Sequence, residues 1–213
     1  GGVVSVSINK ANAVVTANSN TVTYNGLTQT VTGFSTTGLV NGEASTVLTN
    51  VTTSGGSGKN AGTYTLTASG SDPNYNLSFV DGVLTVNKAS LTVSGANNTL
   101  TYNGSVISNS GASYSGQQGS DSFIISGYAS GTRMGTYTDS LSVSGSALAN
   151  YDVTYNNGSL VIGKANLTIT GANNTLTYTG SAQTNGAATI SGQQGNDSFA
   201  VTGYANGFHA GSY

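Results

Sequence analysis

Apolar and polar residues alternate singly along most of this chain. Leu91 and Val93 alternate with Thr92 and Ser94, and Leu141 and Val143 alternate with Ser140, Ser142 and Ser144. Leu84 and Val86 fall on one face, Val83 and Thr85 on the other. A period of two places successive side chains on opposite faces of an extended strand, and Val, Ile, Thr and Tyr suit that surface. No stretch of helical length combines a 3.6-residue period with good helix formers. The pattern predicts short strands throughout, six or seven in each repeat defined below. The dipeptides Asn25-Gly26, Asp81-Gly82, Asn103-Gly104 and Asn157-Gly158 lie between apolar runs and predict type I′ hairpin turns.

The pattern recurs. Lys88-Ala89-Ser90-Leu91-Thr92-Val93-Ser94-Gly95-Ala96-Asn97-Asn98-Thr99-Leu100-Thr101-Tyr102-Asn103-Gly104 returns, beginning at Lys164, as far as Tyr178-Thr179-Gly180, and a looser copy runs from Lys10 to Tyr24-Asn25-Gly26. The lysines are 78 and then 76 residues apart, and so are the tyrosines. Later landmarks keep step. Ser115-Gly116-Gln117-Gln118-Gly119 matches Ser191-Gly192-Gln193-Gln194-Gly195, and Asn74-Tyr75 matches Asn150-Tyr151. Ala61-Gly62-Thr63-Tyr64, Met134-Gly135-Thr136-Tyr137 and Ala210-Gly211-Ser212-Tyr213 form one series. A fixed period of this size marks an array of similar units. The boundaries read from it are 1–9, the closing strand of a preceding unit; 10–87, repeat 1; 88–163, repeat 2; and 164–213, an incomplete repeat 3. Only Lys88-Ala89 or Lys164-Ala165 separates a closing strand from the next opening one, which leaves no flexible linker. The expected architecture is all-β: tandem small β-sandwich or β-grasp-like modules arranged end to end as an elongated rod.

Composition narrows the function. Charged residues make up 6% of the 213, and the formal net charge is −2. The five basic residues, Lys10, Lys59, Lys88, Arg133 and Lys164, are scattered, so no patch faces a phosphate backbone and nucleic acid is not expected as a partner. Apolar runs stop at about four residues where a membrane-spanning helix needs about twenty, so no membrane insertion is expected. Ser, Thr, Asn and Gly keep the surface hydrated without charge. Cysteine is absent, which removes thiol catalysis, thiolate metal sites and redox chemistry.

The Tyr-Asn-Gly and Tyr-Thr-Gly triplets, the Ala-Gly-Thr-Tyr series, the Asn-Tyr pairs and the closing Gly-x-Leu-x-Val-x-Lys-Ala resemble the MBG and YDG repeat domains of large bacterial adhesins. Among these are filamentous-haemagglutinin-like proteins of two-partner secretion systems. The YDG form has Asp where this chain has Asn25, Asn103 and Thr179. The resemblance implies a secreted, extracellular, non-enzymatic cell-surface protein whose repeats form a stalk or filament. It implies no catalytic residues and no cofactor.

His209 is the sole histidine, in Gly207-Phe208-His209, and it reads as a loop residue without the partners a general base needs. Asp121 and Asp197, in Gly-Gln-Gln-Gly-x-Asp-Ser-Phe, partly match a calcium-binding nonapeptide, but such sites need stacked copies. Lys10, Lys88 and Lys164 suggest an isopeptide crosslink, for which Glu43 is the only Glu able to move protons. Lysine stems covering the module junctions are the simpler reading. Tyr128 and Tyr204, with Arg133 and His209 in the same loops, form a candidate surface for host or matrix glycans. The incomplete third repeat suggests homotypic association by strand exchange, and neighbouring modules of a longer chain are the remaining expected partners. Asn-x-Ser/Thr sequons such as Asn50 and Asn76 are frequent, as chance dictates in this composition.

Overall fold

The computed structural model describes all 213 residues, and the chain is β throughout, interrupted by two single 3₁₀ turns at Ser45–Val47 and Leu148–Asn150. Repeat 1 contains β1 (Ala11–Ala17), β2 (Asn20–Thr23), β3 (Gln29–Thr30), β4 (Phe34–Thr37), β5 (Val51–Gly55), β6 (Ser57–Gly58), β7 (Gly62–Gly70), β8 (Tyr75–Val80) and β9 (Gly82–Asn87). Repeat 2 contains β10 (Ala89–Ser94), β11 (Asn97–Thr101), β12 (Ile107–Ser108), β13 (Ser113–Ser115), β14 (Ile124–Ser126), β15 (Ser130–Gly131), β16 (Gly135–Thr138), β17 (Ser142–Ser144), β18 (Tyr151–Asn156) and β19 (Ser159–Gly163). Repeat 3 contains β20 (Thr168–Thr170), β21 (Gln183–Thr184), β22 (Thr189–Ser191) and β23 (Asn206–Gly207). Two-residue strands account for the excess over the six or seven expected in repeat 1, and in repeat 2 the division of the β7 counterpart into β16 and β17 adds one more.

The strand orders repeat as the sequence does. Repeat 1 has the sheets β4-β1-β8, β2-β9-β7-β5 and β3-β6. Repeat 2 has β13-β10-β18, β11-β19-β16 and β12-β15, and its β14-β17 pair corresponds to β5-β7. The sheets are mixed. β1 runs parallel to β8, with Ala11 opposite Tyr75 and Thr16 opposite Val80, and antiparallel to β4. β9 runs parallel to β2 and antiparallel to β7. β19 has the same two neighbours in repeat 2, lying parallel to β11 and antiparallel to β16.

In repeat 1 the strand β1 lies against β7 and β9, so the two larger sheets face each other over one core. Ala13, Val15 and Ala17 of β1, Leu66 and Ala68 of β7, and Leu84 and Val86 of β9 are all buried. They are the alternate positions of their strands, and burial of each Leu or Val contributes about 1.5–3 kcal/mol. This is the sandwich alternative of the expected fold.

The dipeptides Asp81-Gly82 and Asn157-Gly158 do not form hairpins. β8 and β9 belong to different sheets, as do β18 and β19, so at each dipeptide the chain passes from one sheet to another. The glycines serve a different end from the one expected. Neither has a positive φ. A Cβ on Gly82 would stand 2.1 Å from the carbonyl oxygen of Asn18, and one on Gly158 would stand 2.2 Å from that of Ala96. Backbone meets backbone there, and only glycine leaves room. Asn25-Gly26 and Asn103-Gly104 are turns, but not of type I′: only the glycines have positive φ, +79° and +78°. The Asn side chains complete the turns by accepting the amide N–H two residues on, from Leu27 and Ser105.

The chain forms two compact units. One consists of Gly1–Val93, Tyr114–Ile125 and Val143–Tyr155, the other of Ser94–Ser113, Ser126–Ser142 and Asn156–Tyr213. Repeat 2 thus contributes strands to both. In the second unit Ile107, Ala129, Leu160 and Ile162 form a core with Tyr102 and Tyr137 against it. Asp139 lies in the gap between β16 and β17, where repeat 1 has the continuous β7. It is 3% exposed, and its carboxylate accepts the amide N–H of Ala129 (2.7 Å) and Gly158 (3.2 Å) and the Asn109 amide (3.0 Å to each oxygen). A buried carboxylate with this many donors replaces ladder bonds lost at the break.

Residues 1–10 contain no strand, and Val3, Val4, Val6 and Ile8 are at least 86% exposed.

Candidate functional site

The ionisable groups of this protein converge on tyrosines. Tyr24, at the start of the first Tyr-Asn-Gly triplet, is 2% exposed and donates its hydroxyl to Asp121 Oδ2 at 2.8 Å. Tyr151, at the start of β18, is 3% exposed and donates to the same oxygen at 2.5 Å, while its own oxygen accepts the Gln118 N–H at 2.8 Å. The rings of Tyr24 and Tyr151 meet edge to face at 5.4 Å. Phe123 adds a third ring against Tyr151 at 5.2 Å, and Tyr114 a fourth against Phe123 at 5.3 Å. Edge-to-face packing brings a positive ring edge onto a negative ring face. Burial, and then the bond to Asp121, raise the pKa of both phenols, that of Tyr151 to about 12. A phenol beside a carboxylate resists ionising because a second negative charge would have no counterion.

The same device recurs. Tyr75 is the counterpart of Tyr151, and it donates to Glu43 Oε2 at 2.5 Å while accepting the Val40 N–H at 3.0 Å. Tyr102 is the counterpart of Tyr24, and it donates to Asp197 Oδ1 at 3.1 Å. Hydrogen bonds to Glu43 and to Asp197 raise the pKa of Tyr75 and Tyr102 respectively. Glu43, Asp121 and Asp197 therefore hold one position in three repeats. Asp121 takes a tyrosine from its own repeat and one from the repeat before it. The glycine loops come together at the same places. A Cβ on Gly26 would meet the Gln118 backbone at 3.6 Å, and one on Gly104 would meet Gly195 at 2.8 Å. A second connection between repeats 1 and 2 is the Ala61 N–H donated to Asn150 Oδ1 at 2.8 Å.

A further set of tyrosines braces each repeat internally. Tyr64, Tyr137 and Tyr213 donate to the carbonyl oxygens of Asn60 (2.7 Å), Arg133 (3.0 Å) and His209 (3.0 Å). Each bond reaches back four residues, in the manner of a tyrosine corner. Their rings lie on Gly58, Gly131 and Gly207, where any Cβ would overlap them. His209 and Arg133 are thus equivalent positions whose backbone carbonyls do the same work.

Residues 13–85 match the family model described as MBG domain (YGX type). Repeat 1 is an MBG domain. The match takes in β1 to β8 and most of β9, and with them Tyr24, Glu43, Tyr64 and Tyr75. Repeat 2 reproduces the strand order of that MBG domain and its tyrosine–carboxylate bonds. Comparison with curated proteins finds no match to the chain.

The candidates from sequence fall as follows. Asp121 and Asp197 are at the tyrosine bonds just described, and no group of three His, Cys, Asp or Glu side chains is close enough to hold a metal ion. Lys10 donates to the Asp72 carbonyl at 2.9 Å, and Lys88 lies 3.9 Å from Asp152 with both side chains exposed. Arg133 lines an open cavity of about 420 Å³ with Tyr102, Lys164, Asp197 and Phe199. His209 lines a groove of about 530 Å³ with Asn174, Leu176 and Tyr213. Tyr128 and Tyr204 line neither. Sequence reasoning passed over Glu43, Tyr75 and Tyr151 as partners, and over buried Asp139. Register alone pointed to the first: Glu43, Asp121 and Asp197 are 78 and 76 residues apart, as the lysines are.

Proposed function

We propose that this chain is a structural repeat region, the stalk or filament of a secreted bacterial surface adhesin, and that its task is mechanical rather than catalytic. The supporting observation is the connection between successive repeats. A single residue, Lys88, separates β9 of repeat 1 from β10 of repeat 2. Tyr24 then binds Asp121 of the following repeat, and Tyr102 binds Asp197 of the next. A chain without linkers, with a part-buried polar bond from repeat 1 to repeat 2 and from repeat 2 to repeat 3, resists reorientation and proteolysis at its joints. The MBG domain and the sparsely charged, cysteine-free composition agree with an extracellular repeat protein. Small-angle scattering on dilute protein tests this reading: an extended particle is expected, and a compact globule would remove it. Glycan recognition through Tyr128, Arg133, Tyr204 and His209 is the rival function. A glycan array with Tyr128→Ala and Tyr204→Ala controls separates the two, and hits lost in those variants would favour the rival.

A further inference from the structure

The sheet order β4-β1-β8 leaves one side of β8 bonded to β1 and the other side without a strand. This position belongs to the repeat. β18 likewise ends the order β13-β10-β18, and it does so with repeat 1 before it, as β8 does with repeat 2 after it. An edge strand presents backbone N–H and C=O groups that a further strand can bind, and charge or proline on the edge opposes such pairing. β18 carries the exposed Asp152 beside Lys88. β8, Tyr75-Asn76-Leu77-Ser78-Phe79-Val80, has neither charge nor proline. Its Phe79 and Val80 are 37% and 49% exposed.

The free backbone groups follow from the pairing with β1. The Asn74 carbonyl accepts the Ala11 N–H at 3.0 Å, so it points toward β1. Successive residues of a strand turn their backbone groups to opposite sides, so those of Tyr75, Leu77 and Phe79 point away from β1. The Tyr75 N–H is already donated to Asp72 Oδ1 at 3.1 Å. Leu77 and Phe79 remain, each with one N–H and one C=O on the open edge. Their side chains lie on the inner face of the sheet, because Leu77 is paired with buried Ala13 and Phe79 with buried Val15.

We infer that the β8 edge of repeat 1 binds the same edge of a second copy of this chain, antiparallel, about a two-fold axis at Ser78. The edge is self-complementary in this register. Leu77 of each copy stands opposite Phe79 of the other, and each such pair exchanges both of its free N–H···O=C bonds. Ser78 faces Ser78 of the second copy in a pair without backbone bonds. An axis one residue earlier, at Leu77, would set Tyr75 opposite Phe79 and would need the Tyr75 N–H that Asp72 holds. The Leu77 and Phe79 side chains of the two copies cover each other on the inner face, and no like charges meet along β8. The contact is isologous, so it closes at a dimer. It holds whether the repeats serve as spacer or as ligand-binding modules.

The chain has no cysteine, so single cysteines report the register. Opposed residues of a non-bonded antiparallel pair have Cα atoms about 4.5 Å apart, within the span of a disulfide. Ser78→Cys is therefore expected to form a disulfide-linked dimer on air oxidation. Asn76→Cys faces Val80 of the second copy, which separates the two thiols by roughly 13 Å along the strands, and it is expected to stay unlinked. Both positions are exposed, so the variants keep the fold, as circular dichroism would verify. In sedimentation across a concentration series the wild-type chain is expected to pass from monomer to dimer. Ser78→Lys, which sets like charges face to face, is expected to associate about tenfold more weakly. Equal crosslinking of the two cysteine variants would overturn the inference. So would a wild-type chain that stays monomeric throughout, or association unchanged in Ser78→Lys.

Discussion

Removing the Asp121 carboxylate should loosen the connection between repeats 1 and 2. In Asp121→Ala two buried phenols, Tyr24 and Tyr151, lose their acceptor, at 2.8 Å and 2.5 Å. A hydrogen bond to a charged group contributes about 1.5–3 kcal/mol. Asp121 is only half-buried, which weakens each bond by solvent screening. The expected loss is about 3 kcal/mol for the two together. Tyr24→Phe and Tyr151→Phe should each lose about 1 kcal/mol, and a double-mutant cycle with Asp121→Ala should show coupling, since all three share one oxygen. The chain has twelve tyrosines and no tryptophan, so urea unfolding can be followed by tyrosine fluorescence. Two compact units need not unfold as one, so hydrogen exchange at Ser115–Phe123 supplies the local readout. Faster exchange there, with β7 and β9 unchanged, is expected. The pH dependence gives a second check. The ordinary tyrosine value is 10.0, and in the fold Tyr151 is raised to about 12. Between these values the folded state holds a proton that the unfolded state has lost. The contribution is therefore complete below pH 10 and disappears as pH rises toward 12, by about 1–2 kcal/mol after screening. Asp121→Ala should reduce this alkaline decline, leaving the part that burial of Tyr151 causes. An Asp121→Ala protein within about 0.5 kcal/mol of wild type, with the alkaline limb intact, would refute the reasoning.

Leu84→Ala and Leu160→Ala remove side chains with no exposure and should each cost about 2–5 kcal/mol in denaturant unfolding. Asp139→Ala should cost about 3–5 kcal/mol, because the Ala129 and Gly158 N–H groups lose their acceptor in a buried place and the Asn109 amide keeps only the Ala96 carbonyl. Gly158→Ala should destabilise β19 by forcing apart the backbone at Ala96, seen as faster hydrogen exchange in β11 and β19. Lys88→Ala removes an exposed ion pair and should change stability by less than about 0.5 kcal/mol, with no added salt sensitivity.

The strands were legible because each carries its own evidence. Alternation at Leu84 and Val86 or Leu91 and Val93 survives into burial, since a two-residue period admits only one inward face. The repeats were legible because identical spacing must build identical folds. The turns were less so. Asn-Gly and Asp-Gly read as hairpins, yet at Gly82 and Gly158 the dipeptide marks a passage between sheets, and the glycine answers a carbonyl far away in sequence. The tyrosine–carboxylate bonds were hidden for the same reason. Tyr24 and Asp121 are 97 residues apart, and nothing local to either distinguishes a structural acceptor from a metal ligand.

By itself, then, the order of residues determined the β class, the period, the alternate core positions and the lack of thiol chemistry, all of which depend on neighbours within a few residues. Only the tertiary structure decided which strands pair in parallel and which carboxylates receive which phenols. Those outcomes depend on groups brought together from distant parts of the chain, and their free energy appears only once the surrounding core has excluded water.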